Sequence, residues 1–444
     1  MTPKLKKSDK VWIEPKVSDC EFVAKYAFYP LIHRKLTQRR YKVPKGGDSR
    51  ENSKNTEKPR EIFYASHLDT QIYSYYAKEV LGKIYEDNLA KEPDLSKCIC
   101  AYRSVKADQY RNKSNIDFAK EAFTSIVNQG DCIALAYDIE KFFDTLDHVH
   151  LKKSWCDLLK IDKLPNDHFN IFKSLTRFSF VEELDLIEEF DFEHFKDLKR
   201  DEVLCYCCNP REFRDRVRGN KNKKGKTLLK KQKPIDGKIK GIPQGTAISA
   251  FLANLYLFEF DKAIFQKVVV ECKGLYRRYS DDIIIACGHE FEKEINDLVL
   301  SEITKYNLVI NSDKTERSEF VRIDNIGLCC KPLRYLGFEF DGNRALIKSS
   351  GLAKYYRKAK ILVKVKAGKA RKLQKKKITN NTQIYRRIIY KRYTHLGKRN
   401  FISYVKKASS ILEDPSVLKQ IKRHWKVMNS YIERFEVKYH LPRK

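Results

Sequence analysis

The segment Leu275–Cys287 (LYRRYSDDIIIAC) sets two aspartates, Asp281 and Asp282, between apolar and aromatic flanks. Short apolar runs on either side of a polar doublet read as a β-hairpin with the aspartates at its turn. Side chains alternate along a strand, so Asp281 and Asp282 point to opposite faces unless the turn distorts. Asp281 is therefore expected to be the principal ligand of any cation held there, with Asp282 as its partner. A second apolar run, Asp131–Ile139 (DCIALAYDI), reads as a buried strand that delivers a third carboxylate, Asp138, at its end.

Aspartates on two strands of one sheet make a hard-oxygen site that suits Mg²⁺, an ion that keeps waters and takes its remaining ligands from substrate phosphates. Two such ions, roughly 4 Å apart, activate a hydroxyl and neutralise leaving pyrophosphate in an in-line displacement. The competing reading is turn and cap aspartates, and a lone Asp-Asp after Tyr carries little by itself. Its weight comes from the blocks around it.

The charge balance points the same way. The chain has 90 lysines and arginines against 58 acidic residues, a net +32 in 444 residues. That is more than solubility requires and implies a polyanionic partner. From Gly351 to Lys444 there are 28 basic and 4 acidic residues, so +24 of the +32 lies there. These cations are interleaved with Tyr, Ile, Leu and Trp, as in Tyr385–Tyr393 (YRRIIYKRY), which reads as a helical surface for phosphates rather than a floppy arm. The run Lys221–Lys240, by contrast, follows an acidic stretch and reads as a solvated face.

No stretch approaches the roughly 20 apolar residues that span a bilayer, and the N-terminus lacks the apolar core of a signal peptide. A cytoplasmic protein with no membrane partner is expected, its 12 cysteines mostly reduced. Cys132, Cys287, Cys329 and Cys330 read as core. The cluster Cys205, Cys207, Cys208 lacks the paired spacing of a zinc site.

Along the chain, Lys45–Pro59 reads as a polar loop. Ser66–Leu81 reads as a helix capped by Ser66 and stopped by Gly82. Further helices are expected over Asp117–Asn128, Leu151–Lys160 and Gly245–Ala263. Glu182–Lys240 reads as an insertion, and the basic tail as mostly helical.

Four ordered blocks resemble the reverse transcriptases of the bacterial, group II intron and retron lineage. YDIEKFFDTLDH from Tyr137 resembles the first catalytic motif, and GIPQGTAISAFLANLYL from Gly241 the Pro-Gln-Gly motif. YSDD at Tyr279 resembles the Tyr-x-Asp-Asp box, and LRYLGFEF from Leu333 the primer-grip hairpin. Asn311–Thr315 resembles the segment whose lysine faces the leaving group, while Lys58–Ile62 and Ala101–Arg103 resemble finger motifs. The similarity runs from about residue 58 to 345.

The resemblance implies a right-hand α+β polymerase with fingers, an antiparallel palm sheet with helices, and a helical thumb. The expected divisions are 1–125 for the N-terminal region and fingers, 126–345 for the palm with an insertion at about 182–240, and 346–444 for the thumb. It implies Asp138, Asp281 and Asp282 as catalytic carboxylates and metal ligands, helped by the Ile139 carbonyl, with two Mg²⁺ ions or Mn²⁺ in their place. Lys314 would serve the leaving pyrophosphate. Phe143 would collide with a ribose 2′-hydroxyl and so select deoxynucleoside triphosphates; in a regular strand only one of Phe142 and Phe143 can face the nucleotide. Gln244 and Gly245 would lie by the nucleotide and template, the glycine permitting close approach, and Arg60 by the triphosphate; Lys58 and Arg103 are secondary.

The retron Val-Thr-Gly element has no match, and neither a His/Asn/Cys-rich endonuclease domain nor a separate RNase H domain is expected within these 444 residues. The pattern is most like the stand-alone unknown-group or defence-associated enzymes, implying an RNA template, a structured noncoding RNA, a DNA product and antiphage defence. Three other readings stay open. They are an RNA-directed RNA polymerase, an RNA-binding protein or splicing helper with an inactive palm, and template-independent or protein-primed DNA synthesis. Oligomeric state is not legible.

Overall fold

A computed structural model describes residues 10–42, 54–190, 210–219, 227–323, 326–329, 331–376 and 383–442. The fold is α+β. Its strands, in chain order, are β1 (Leu31–Lys42), β2 (Lys54–Tyr64), β3 (Cys132–Asp138), β4 (Ser179–Glu182), β5 (Lys230–Lys231) and β6 (Leu275–Tyr279). They continue with β7 (Asp282–Cys287), β8 (Glu316–Ile323), β9 (Ile326–Cys329), β10 (Leu333–Tyr335), β11 (Phe338–Phe340) and β12 (Ala345–Ile347). The chain forms two compact units. One comprises Met1–Tyr102, Ile139–Ala263 and Val299–Ile310, the other Arg103–Asp138, Ile264–Leu298 and Asn311–Lys444.

In the first unit a sheet runs in the order β2-β1-β4-β5. β1 and β2 pair antiparallel from Ile32↔Tyr64 to Lys42↔Lys54, and β4 joins β1 in parallel. Buried His33 ties three strands together, one ring nitrogen 2.5 Å from Glu61 on β2 and the other 2.7 Å from Glu182 on β4. The polar loop expected over Lys45–Pro59 is corrected in part: Lys54–Pro59 lie within β2. An edge strand needs no apolar alternation and accommodates Pro59, which has no N–H to give the ladder. Residues 43–53 fall outside the described residues.

The helix read from Ser66 is His67–Tyr75, and the Ser66 hydroxyl does cap it, accepting from the Asp69 N–H. Gly82 does not stop it. The chain passes through a π-helical turn, Tyr76–Val80, into helix Leu81–Ala90. At Gly82 a Cβ would lie 2.4 Å from the Ala77 carbonyl oxygen, so the glycine admits the bulged turn rather than ending the helix. Helix His148–Leu159 follows, capped by Asp147. Of the Glu182–Lys240 segment, helix Glu183–Glu189, the turn Phe213–Gly219 and the residues Leu228 and Leu229 before β5 pack around Val181, Leu186, Phe213 and Val217. Cys205, Cys207 and Cys208 fall outside the described residues.

The second unit is built on a five-stranded antiparallel sheet in the order β6-β7-β3-β8-β9. Central β3 is buried at Cys132, Ile133, Ala134 and Leu135, which explains its unbroken apolar run. Helix Asn115–Gln129 packs on this sheet, and its Phe123 stacks on Phe340 of the three-stranded sheet β10-β11-β12 with ring centroids 4.5 Å apart. The basic tail is helical, as its pattern suggested: Ser349–Lys375, Arg386–Tyr393, Phe401–Leu412, Ser416–Lys419 and His424–Tyr439. Cys132 and Cys287 are buried and Cys329 is half-buried, while Cys330 falls outside the described residues.

Candidate active site

Strand register brings two carboxylates together. β3 and β7 pair so that Asp138 lies directly opposite Asp282, and β6 pairs with β7 so that Tyr279 faces Asp282. Ser280 and Asp281 are thus the two-residue tip of the hairpin. Ser280 takes a left-handed φ of +63°, an arrangement that matches strand twist in tight hairpins and that glycine usually supplies. This is the distortion that spares Asp281 the strict alternation of a strand. Buried Arg278, on β6, donates to the Ser280 carbonyl at 3.3 Å and so braces the tip from inside the sheet.

Lys314 is delivered by a turn hung on the same strand. The Asn311 N–H donates to the Asp138 carbonyl (2.8 Å), and the Lys314 and Thr315 N–H groups return to the Asn311 carbonyl (3.0 and 3.1 Å). The turn brings the Lys314 ammonium into an ion pair with the Asp138 carboxylate.

Asp282 is open to water yet set in a concavity. Desolvation by the surrounding protein, then repulsion by Asp281 and Asp138, pushes its carboxyl up to about 7. Asp281 is also raised, by desolvation and then by Asp138, against bonds from its own N–H and the Ser280 side chain. Among the described residues no three acidic, His or Cys side chains close into a preformed metal cage. The donor set nonetheless fits a hard divalent cation: three carboxylates that repel one another are what such an ion relieves, and an open site leaves positions for substrate oxygens.

Gln244, Gly245, Arg60, Phe143 and Ile139 lie in the first unit, as does Lys58, while Arg103 opens a segment of the second. The Pro-Gln-Gly loop is pinned to β2, since the Gln244 carbonyl accepts from the Phe63 N–H at 2.9 Å. Gly245 has φ +118°, and a Cβ there would come within 2.7 Å of the Phe63 carbonyl oxygen, so its close approach is to this strand. Arg60, exposed on β2, stands three residues upstream. At the other end of the loop the Ile242 N–H donates to the Phe143 carbonyl (2.9 Å) and Gly241 packs on the Asp144 backbone.

Phe143 does not lie on a regular strand, as the alternation argument assumed. Lys141 turns left-handed at φ +46° and starts a short helix, Phe142–Thr145, which buries Phe142 and leaves Phe143 half-exposed. Ile139 sits in a non-hydrogen-bonded bridge with Ile310, so its carbonyl points away from that neighbour.

Sequence reasoning missed the surroundings of Asp282. A cavity of about 350 Å³ is lined by Asp282, Tyr279, Asn115, Arg334, Tyr335 and Lys348, among others. The Asn115 amide donates to the Leu336 carbonyl and to the Tyr404 hydroxyl, both at 3.1 Å. Lys348 sits just past the segment read as primer-grip hairpin, and its basic character was the only available signal.

With this geometry in hand, comparison with known proteins is decisive for one stretch. Residues 230–340 match the family model of reverse transcriptases (RNA-dependent DNA polymerases). Over this stretch the chain is similar to reverse transcriptases. The matched stretch takes in Gln244, Gly245, Asp281, Asp282 and Lys314, while Arg60, Asp138, Ile139 and Phe143 precede it. No curated protein matches the sequence. Among solved structures, apo telomerase from Candida tropicalis truncated from its C-terminal domain is 14% identical, with a TM-score of 0.39 over 76% of this chain and 60% of that one. Telomerase from Candida albicans in complex with a fragment of telomeric RNA is also 14% identical, with a TM-score of 0.39 over 97% of this chain and 66% of that one. The chain thus spans about 60% of the length of the first of these. No helix among the described residues is long and apolar enough to cross a membrane.

Proposed function

We propose that this chain is an RNA-directed DNA polymerase. The observation that carries the reading is the cross-strand pairing of Asp138 with Asp282, with Asp281 on the adjoining hairpin tip and Lys314 on Asp138. Asp138, Asp281 and Asp282 would hold two divalent cations, Mg²⁺ or Mn²⁺, with the Ile139 carbonyl as a further ligand. Such ions, when bound, would supply polarisation of the attacking 3′-hydroxyl and neutralisation of the leaving pyrophosphate. Lys314 exchanges its hold on Asp138 for a phosphate oxygen of the leaving group. Phe143 occupies the space of a ribose 2′-hydroxyl and so selects deoxynucleotides, Gln244 and Gly245 contact the nucleotide and template, and Arg60 the triphosphate.

In this reading residues 1–125 act as N-terminal region and fingers, 126–345 as palm and 346–444 as thumb. The likeness of the sequence blocks to stand-alone bacterial enzymes supports a structured noncoding RNA as template and a role in antiphage defence. Primed-template assays with an RNA template and deoxynucleotides test the activity: wild type extends the primer, and Asp281→Asn does not. Extension by Asp281→Asn at the wild-type rate sinks the assignment. Sequencing DNA that copurifies with the active chain identifies the template, and a protective effect on phage-infected cells that survives Asp281→Asn removes synthesis from that role.

A further inference from the structure

A cavity on the C-terminal helices shares no residue with the carboxylate site. Its volume is about 810 Å³, ample for a nucleotide-sized ligand. The rim carries Lys354, Lys358, Lys391, Arg392, Lys398 and Arg399, all exposed, and none of the lining residues is acidic. The wall is aromatic. Tyr355 stacks on Phe401 with centroids 4.5 Å apart and lies 5.8 Å from Tyr393, whose carbonyl accepts from the Tyr355 hydroxyl at 2.5 Å.

Lys391 and Arg392 end helix Arg386–Tyr393, and the closely bonded loop that follows presents Lys398 and Arg399. The Asn400 amide donates to the Lys391 and Thr394 carbonyls (3.3 and 2.8 Å), and its side-chain oxygen caps helix Phe401–Leu412 through the Ser403 N–H at 3.0 Å. Gly397 packs so closely on the Lys391 carbonyl oxygen that a Cβ would lie 1.7 Å from it, and Arg399 holds a left-handed φ of +52°. Lys358, Lys391, Arg392, Lys398 and Arg399, held around one concavity, repel each other, and a polyanion relieves that repulsion. A duplex backbone is met by an open basic face, whereas an aromatic-walled hollow with a cationic rim suits an unpaired base flanked by its phosphates.

We infer that this cavity is a binding site for single-stranded RNA, which seats an unpaired nucleotide against Tyr393 and Phe401 and its neighbouring phosphates on those five cations. The inference deepens the proposed function by naming how the RNA partner is held, and its test separates the two. Fluorescence anisotropy as a function of salt measures binding of a 15-nucleotide unstructured RNA and of the same sequence as a blunt duplex, using the full chain. K391Q/R392Q/K398Q/R399Q should lower the slope of log affinity against log salt for the single strand by about 3, from about 0.7 per lost phosphate contact. Its duplex binding should change less. A control with equal charge loss elsewhere on the long helix, K364Q/K369Q/K372Q/K375Q, should retain most single-strand binding. Thermal melting verifies that both variants fold.

An unchanged slope in the first variant, equal losses in the two variants, or equal losses for single strand and duplex would each overturn the assignment. Asp281→Asn should bind the single strand as wild type does. Primer extension by Asp281→Asn would sink the catalytic reading and leave this one standing.

Discussion

The second unit handles like charge in two opposite ways. At the end of the five-stranded sheet, three carboxylates are fixed by strand register, a two-residue turn and a buried arginine, and desolvation followed by their repulsion lifts Asp281 and Asp282. On the C-terminal helices, six cations surround a cavity on exposed side chains. Chemistry at one reacting centre needs charges at fixed positions, so no carboxylate can stand in for another. Binding along a polyanion sums many similar contacts, so each cation is individually expendable.

Substitutions that break this contrast should differ by orders of magnitude. Asp138→Asn or Asp281→Asn is expected to lower the rate of nucleotide addition by about a thousandfold or more, since pre-placed charge at the reacting centre cannot be supplied by solvent. Single-turnover primer extension measures it, and a loss under tenfold would place the reaction elsewhere. Lys314→Ala should cost on the order of a hundredfold in kcat with little change in KM, because its partner forms during the displacement. A pure KM effect would make Lys314 a ground-state contact only. By contrast, Lys398→Gln alone should weaken RNA binding by no more than about threefold and flatten the salt slope by about 0.7.

Two aspartates of the same unit sharpen the comparison through pH. Asp282 is raised to about 7 in the fold, so between about pH 4 and 7 the folded chain binds more protons than the unfolded chain and stability falls as pH rises. In chelator, Asp282→Asn should therefore melt higher than wild type at pH 8, and the difference should vanish near pH 4. Asp117 has the opposite sign. Burial would raise it, but bonds from Arg111 (2.8 and 2.9 Å) and from the Ser114 N–H and hydroxyl (both 2.8 Å) bring it down to about 2. Its stabilisation is present above the unfolded carboxylate value and is lost as pH falls toward about 2. Arg111→Met should lower the melting temperature at pH 7 and lower it less below pH 3. Equal destabilisation at both pH values would mean that Arg111 acts through packing.

Local pattern made much of this legible. The apolar run of β3, the hairpin around the aspartate doublet, the Ser66 cap and the helical tail all follow from short-range rules, because each element's burial is written in its own residues. The misreadings come from places where a neighbour overrides the local signal. Lys54–Pro59 looked like loop because an edge strand can be polar on both faces, and Gly82 looked like a stop although it relieves a π-helical turn. Phe143 looked like a strand residue until Lys141 turned the chain.

By itself the sequence determined the residue types of the candidate site, their order along the chain and the place where positive charge accumulates, since these are properties of composition and short motifs. Only the tertiary structure decided that Asp138 faces Asp282, that Lys314 reaches Asp138 from a turn hung on the same strand, and that six dispersed cations surround one aromatic-walled cavity. Register and cavity shape depend on which distant segments pack together, and no local pattern encodes that choice.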